Sequence, residues 1–301
     1  MPHTKEQWRE RLGSPTQPIP HTAPTRLSTL NLPECRLELY CQENGVGTSQ
    51  RVLLAIPHGL TAPAPAVAIP FYFPEAMLGF ELSETRQPLS SYEGIDMMLH
   101  LVRRGYVAAS ADSYHLTYIK SNKARNDFSR WLDAAIALRQ DHPAWSGIGK
   151  LVSDTSRMID LLASDARVDK TKIGIAGHSL GGKMAFYTGC LDDRISAILA
   201  SDFGFGWDQS NWREPWYWGN TVEDLIADGM DHTDLLSASQ KPFCLIAGEY
   251  DNEESGIMMR RAHGYETDSD RLSFINHAMG HRPPLWALEK GYDFLDRFLK
   301  R

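Results

Sequence analysis

Residues 174–183 read GIAGHSLGGK, four glycines in ten positions around Ser179. Glycine weakens strands and helices because it loses the most backbone entropy on folding and has no side chain to pack. A glycine-rich stretch joining the apolar run KIGIAG to a helix-like run therefore needs a local reason. GHSLG fits the pattern G-x-S-x-G, in which a serine occupies a strained strand-to-helix turn with its hydroxyl lifted clear of the backbone. Side chains two residues before and after that serine would collide, which Gly177 and Gly181 avoid, and Gly182 lets the helix approach the sheet. The helix contributes the positive end of its dipole, and the Leu180 N–H can point at an oxyanion. Neighbours on such a turn project in different directions, so His178 reads as packing.

The blander reading is a glycine-rich turn carrying a merely polar serine. A serine hydroxyl is a poor nucleophile until a base takes its proton and a third group orients that base, so the rest of the chain decides. Asp251 follows the strand-like run PFCLIAGE, and LSFINHAMGHRPP supplies His277 and His281. Serine, aspartate, histidine is the chain order expected when each sits at the C-terminal end of a strand in a parallel sheet. Asp251 is the expected orienting acid, although Asp202 also ends a strand and Glu249, Glu253 and Glu254 crowd Asp251. Of the histidines, His277 lies at a strand end and is held by the sheet. His281 lies beyond Gly280 in a loop free to curl back, so it is the expected base, with His277 as a pocket wall or hydrogen-bonding neighbour. Spacing of four also suits zinc ligands on a helix, but Gly280 and the preceding strand argue against a helix and hence against a metal.

The chain has 301 residues with 42% hydrophobic and 23% charged, ordinary for a globular protein, and a net charge of −7. Mild acidity without a basic face argues against nucleic-acid binding. No signal-like segment and no apolar run long enough for a bilayer are visible, so a cytoplasmic location and no membrane association are expected. Four cysteines without CxxC spacing read as reduced thiols. No phosphate loop or dinucleotide fingerprint appears, and no cofactor is expected.

Residues 1–33 read as a short helix followed by a proline-rich arm, with one domain over 34–301. That domain opens with three strand-like runs (CRLELYCQ, SQRVLLAIP, APAVAIPFYF), where Asn44 and Gly45 suit a hairpin turn. From about residue 90, helical and strand patterns alternate: a helix beginning at Ser90 or Ser91, the strand YVAASAD, a helix over 148–162, then KIGIAG, ISAILASD, PFCLIAGE, RLSFINH and a closing helix. Such alternation predicts an α/β fold with a mostly parallel sheet of about eight strands and helices on both faces. Two insertions stand out, at about 113–145 and 203–240. The second carries Trp207, Trp212, Trp216 and Trp218, as a substrate wall or as packing.

With these parts in place, the chain resembles the α/β-hydrolase fold, within it the dienelactone hydrolase and acetyl xylan esterase-like group. The matching residues are VDKTKIGIAGHSLGGKMAFYTGCLDDRISAILAS, GEYD and GHRPP. The resemblance implies a serine hydrolase of carboxylic esters with short acyl groups, acting on small molecules that include acylated carbohydrates. Relatives commonly carry His-Gly after the third strand to complete the oxyanion hole. Here that place reads IPFYFPEAM, so the second donor is expected from the N–H of Tyr72 or Phe73, since Pro74 has none. The alternatives are an acylaminoacyl or dipeptidyl-type peptidase, against which stands the lack of a propeller-sized N-terminal region, and a non-catalytic binder on the same fold.

Overall fold

The computed structural model describes residues 3–264 and 269–301. Among the described residues nine strands are formed: β1 (Thr25–Asn31), β2 (Cys35–Gly45), β3 (Thr48–Pro57), β4 (Ala64–Ala68), β5 (Val107–Ala111), β6 (Val168–His178), β7 (Ile195–Ser201), β8 (Phe243–Ala247) and β9 (Leu272–Asn276). They make one sheet in the order β1-β2-β3-β5-β4-β6-β7-β8-β9. β1, β2, β3 and β5 run antiparallel to one another in turn, and from β5 through β4 to β9 every neighbour is parallel. Non-consecutive order around β4 and β5 reflects crossovers through helices, as a parallel sheet requires.

The central strands are short apolar runs because both their faces are covered. β5 and β8 are buried at every position. Side chains alternate between faces, and β7 shows where each goes. Ile198 packs on Gly189 of the helix Leu180–Leu191, while Leu199 packs on Gly291 of the closing helix Leu285–Leu299. The long helix Gly147–Ser164 lies beside the first of these, its stripe of Ile148, Leu151, Met158, Ile159 and Leu162 buried.

Three sequence expectations shift. The ninth strand, β1, comes out of the proline-rich segment, between Pro24 and Pro33. Its residues are almost all exposed, so no apolar alternation announces it, and pairing with β2 rather than burial makes it a strand. The hairpin turn between β2 and β3 is Val46–Gly47, with Gly47 at φ 71°, while Asn44 is buried and binds Thr117 and Asp154. The expected helix from residue 90 is broken: Ser90–Tyr92 is a single 3-10 turn, Gly94 at φ 85° interrupts it, and the helix proper is Met98–Arg103. The N-terminal helix Lys5–Leu12 is present, closed at its start by a Thr4–Gln7 capping box and anchored by fully buried Trp8.

Candidate active site

β6 ends at His178, and the helix Leu180–Leu191 begins one residue after Ser179. Ser179 sits between them at φ 56° and ψ −117°, a conformation that non-glycine residues adopt only when the surroundings enforce it. The enforcement is visible. A Cβ on Gly177 would lie 2.1 Å from the Gly181 carbonyl oxygen, and one on Gly181 would lie 2.3 Å from the Pro70 carbonyl oxygen. Backbone on both sides leaves room for hydrogen alone. Ser179 N–H donates to Ser201 O at 2.8 Å, and Lys183 N–H donates to Ser179 O at 3.0 Å, fixing the turn to β7 and to its own helix.

After β9 the chain bends at Ala278 (φ 49°) and Gly280 (φ 89°) and returns across the strand ends. This carries His281 over the serine. His281 Nε2 is 2.9 Å from Ser179 Oγ, and its Nδ1 is 2.6 Å from Asp202 Oδ2. The structure thus brings Ser179 and His281 together, and it sets Asp202, not Asp251, against the other imidazole nitrogen. Asp251 does not reach His281, and its carboxylate instead accepts the N–H groups of Phe203 (2.8 Å), Gly204 (3.0 Å) and Phe205 (2.6 Å) and the Ser255 hydroxyl (3.0 Å). The reason is strand length. β7 ends at Ser201, directly beside His178 of β6, so Asp202 emerges at the level of the serine turn, whereas Asp251 stands four residues past the end of β8.

Asp202 is itself held. Its φ is 44°, and its Oδ1 accepts the N–H groups of Gly248, Glu249, Tyr250 and Asp251 at 2.9–3.0 Å. Burial alone would raise its carboxyl. The hydrogen bonds from His281 and from the Asp251 and Glu249 backbones outweigh that and bring it below the usual carboxylate range. His281 is packed between His178, with ring centroids 4.5 Å apart, and Tyr250, at 4.6 Å. His178 is buried, its Nδ1 3.2 Å from Ser201 Oγ, and burial pushes its imidazole down to about 3, so it faces His281 as a neutral ring.

His277 does not approach Ser179. Its N–H donates to Ala247 O, its Nδ1 accepts the Met279 N–H at 3.1 Å, and its ring edge lies against Gly248. It braces the turn after β8.

Leu180 is the first residue of its helix, so its N–H has no intrahelical acceptor and faces the turn of Ser179. The loop of Tyr72 and Phe73 joins β4 to the helix Pro74–Leu78, with the Pro70 carbonyl against Gly181. Ser113 pins that loop, its hydroxyl donating to Phe71 O at 2.6 Å and its N–H to Tyr72 O at 3.1 Å. Glu75, just beyond, is clamped by both Arg51 and Arg125. Burial, with the Tyr92 and Tyr250 phenols nearby, pushes the Tyr72 phenol up to about 12.

The tryptophans, read from the sequence as a substrate wall or as packing, are all buried. Trp212 is fully buried, donates Nε1–H to Gly204 O at 2.8 Å and rests 4.7 Å from the His232 ring. Trp207 donates to Met230 O at 2.9 Å and lies tilted against the same imidazole at 4.3 Å, Trp218 packs on Trp8 and Tyr187, and Trp216 stacks on Phe128 at 5.6 Å. Sequence offered no sign of His232, the buried imidazole against which Trp207 and Trp212 pack. Lys183, four residues after the serine, was equally silent: its buried Nζ donates to Phe203 O at 2.6 Å and Ser210 Oγ at 2.8 Å, under the Trp212 ring at 4.2 Å, and burial pushes its amine down to about 7.

A family model for fungal glucuronyl esterases matches residues 148–221, less than half of the chain but the segment that holds both Ser179 and Asp202. Among solved structures, the chain is similar to a glucuronoyl esterase from Solibacter usitatus at TM-score 0.70 and 14% identity, covering 97% of this chain and 90% of that one. A glucuronoyl esterase from Teredinibacter turnerae gives TM-score 0.67 at 16% identity, covering 98% and 86%. An acetyl xylan esterase from Paenibacillus gives 0.63 at 15%, covering 98% and 92%. No curated protein matches the sequence. Its structural neighbours are carbohydrate esterases, and with a sheet in this order and matches spanning nearly the whole chain, the protein has the α/β-hydrolase fold.

Proposed function

We propose that this protein is a serine hydrolase of carboxylic esters carried on carbohydrates, working through an acyl-enzyme on Ser179. The observation that carries the reading is the placement of one imidazole between Ser179 Oγ at 2.9 Å and the Asp202 carboxylate at 2.6 Å. A histidine in that position takes a proton at Nε2 while Asp202 holds Nδ1–H and stabilises the imidazolium.

The steps follow from the geometry. Ser179 Oγ attacks the ester carbonyl carbon as its proton passes to His281 Nε2. The oxygen of the tetrahedral intermediate gains charge at the N-terminus of the helix Leu180–Leu191, where the Leu180 N–H stabilises it, with Tyr72 or Phe73 N–H as the second donor. Collapse breaks the bond to the leaving alkoxide, which takes the proton from His281 and departs as the alcohol. Water then repeats the sequence: it gives its proton to His281, attacks the acyl carbonyl, and returns Ser179 and a carboxylic acid. No step calls for a metal or an organic cofactor.

The sugar component rests on the neighbours, whose names divide into acetyl xylan and glucuronoyl esterases. In the first the sugar is the alcohol of the ester, and in the second it is the acid. Purified protein is assayed on p-nitrophenyl acetate, then on acetylated xylo-oligosaccharide and on an alkyl ester of glucuronic acid. Turnover of a sugar ester at a higher kcat/KM than the nitrophenyl ester, lost in Ser179→Ala, supports the reading. Wild-type protein that cleaves no ester, or Ser179→Ala that still does, overturns it.

A further inference from the structure

Two carboxylates at the ends of neighbouring strands exchange backbone hydrogen bonds. Asp202, after β7, accepts four N–H groups of the turn 248–251, and Asp251, in that turn, accepts three N–H groups of residues 203–205. Each side chain caps the loop that carries the other. Asp202 has only Oδ2 left for His281 once Oδ1 is occupied, so the direction of the His281 contact is set by where these two loops sit.

From this reciprocal arrangement we propose that Asp251 is a positioning residue for the reaction read above: it holds Asp202 in the backbone conformation that delivers Oδ2 to His281. The proposal rests on that reading only for its kinetic consequence. Asp202 is a non-glycine residue at φ 44°, a region that costs free energy and persists only when neighbours over-determine it. The three residues that follow it are the ones whose N–H groups end on Asp251. Without those acceptors, three buried donors are unpaired and a main restraint on the segment just after residue 202 is lost, which lets residue 202 relax towards the right-handed region against the pull of the four N–H groups on Oδ1 and shifts its carboxylate from the imidazole. Lys183 reinforces the same segment from the serine's helix through its bond to Phe203 O, and Ser255 steadies Asp251 from its own helix. Both carboxylates are buried, at 0% and 1% exposure for Asp202 and Asp251, so water does not replace the missing partner.

A residue that merely stabilised the fold would lower the melting temperature without altering the His281–Asp202 bond. The test therefore compares Asp251→Asn, which keeps the shape but turns an amide towards backbone donors, with the milder Ser255→Ala, which keeps both carboxylates. His281 is faced by Asp202 from β7, His178 from β6, Tyr250 from the turn after β8 and Ser179, and none of these is changed.

In Asp251→Asn kcat on p-nitrophenyl acetate is expected to fall about tenfold to a hundredfold with KM nearly constant, the size of effect that a misplacement near 1 Å produces. Ser255→Ala is expected to show a smaller loss in the same parameter, and it serves if Asp251→Asn does not fold. Independently of turnover, the low-field proton resonance of a histidine Nδ1–H bonded to a carboxylate is expected in wild type, absent in His281→Gln, and lost or moved upfield in folded Asp251→Asn. Unchanged kcat with an unchanged resonance in a folded variant overturns the proposal, even if melting drops. A resonance that is lost or moved in folded Asp251→Asn, together with wild-type protein unable to cleave any ester, would uphold the positioning role while sinking the esterase reading.

Discussion

Asp202 and His281 lie 79 residues apart in sequence and share a 2.6 Å hydrogen bond, Oδ2 to Nδ1, that closes the chain Ser179–His281–Asp202. It joins the loop after β7 to the loop after β9, passing over β8, whose own loop carries the other candidate acid. Asp202→Asn leaves the shape intact but no longer stabilises the imidazolium or its tautomer. The expected loss in kcat is about 10³- to 10⁴-fold, measured on p-nitrophenyl acetate, and a variant within tenfold of wild type would exclude Asp202 as the orienting acid.

The serine turn tolerates no side chain at Gly181. A Cβ there meets the Pro70 carbonyl oxygen at 2.3 Å, and that oxygen belongs to the loop that leads to Tyr72 and Phe73. Gly181→Ala therefore pushes the nucleophile and the oxyanion loop apart. Urea unfolding should show a loss of about 1–3 kcal/mol, and activity per folded molecule should drop as well. Wild-type turnover in this variant would mean that the Pro70 loop takes no part in catalysis.

Trp212 is fully buried, so Trp212→Ala is expected to cost about 3–5 kcal/mol of stability. Trp207 and Trp218 should behave alike, to a smaller degree. If these rings walled the acyl pocket, truncation would broaden the range of acyl lengths accepted at unchanged melting temperature. The packing seen around His232 predicts the reverse: melting falls and the acyl profile of the folded fraction stays as it was.

Glu38 gives a pH-dependent check on the fold away from the site. It is fully buried on β2, and the Arg167 hydrogen bonds, aided by Tyr40 and Arg36 against the cost of burial, hold its carboxyl down at about 2. A lowered folded-state value means stability that is present above the unfolded value, about 4.3, and lost as pH falls towards 2. Arg167 is 30% exposed, which screens the pair. Glu38→Gln should be less stable than wild type by about 1–3 kcal/mol at pH 7, with the gap shrinking below pH 4 and closing near pH 2. A gap that persisted at pH 2 would show that packing, not charge, holds Glu38.

Much of this architecture is legible in the sequence because it is local. GHSLG, the alternation of apolar runs with helical spacing, and a histidine after a glycine ahead of the last helix each declare themselves within a few residues. The acid does not. Asp202 and Asp251 both follow buried strands, and the choice depends on how far β7 extends relative to β6, a matter of sheet register that no local pattern encodes. β1 is hidden for the same reason, since pairing with β2 defines it and its side chains are solvated. The aromatic run at 203–218 reads equally as a substrate wall or as packing, because His232, against which Trp207 and Trp212 pack, lies on a later helix.

If Ser179 is activated by His281 held on Asp202, its phosphorylation by an organophosphate should depend on all three residues, and the reaction needs no knowledge of the natural substrate. Wild type, Asp202→Asn and Asp251→Asn are treated with diethyl p-nitrophenyl phosphate, the release of p-nitrophenol is timed, and the adduct is mapped by peptide mass. One equivalent on Ser179 is predicted in wild type, slowed about 10³-fold or more in Asp202→Asn and far less in Asp251→Asn. An adduct on another residue, or Asp202→Asn reacting at the wild-type rate, would contradict it.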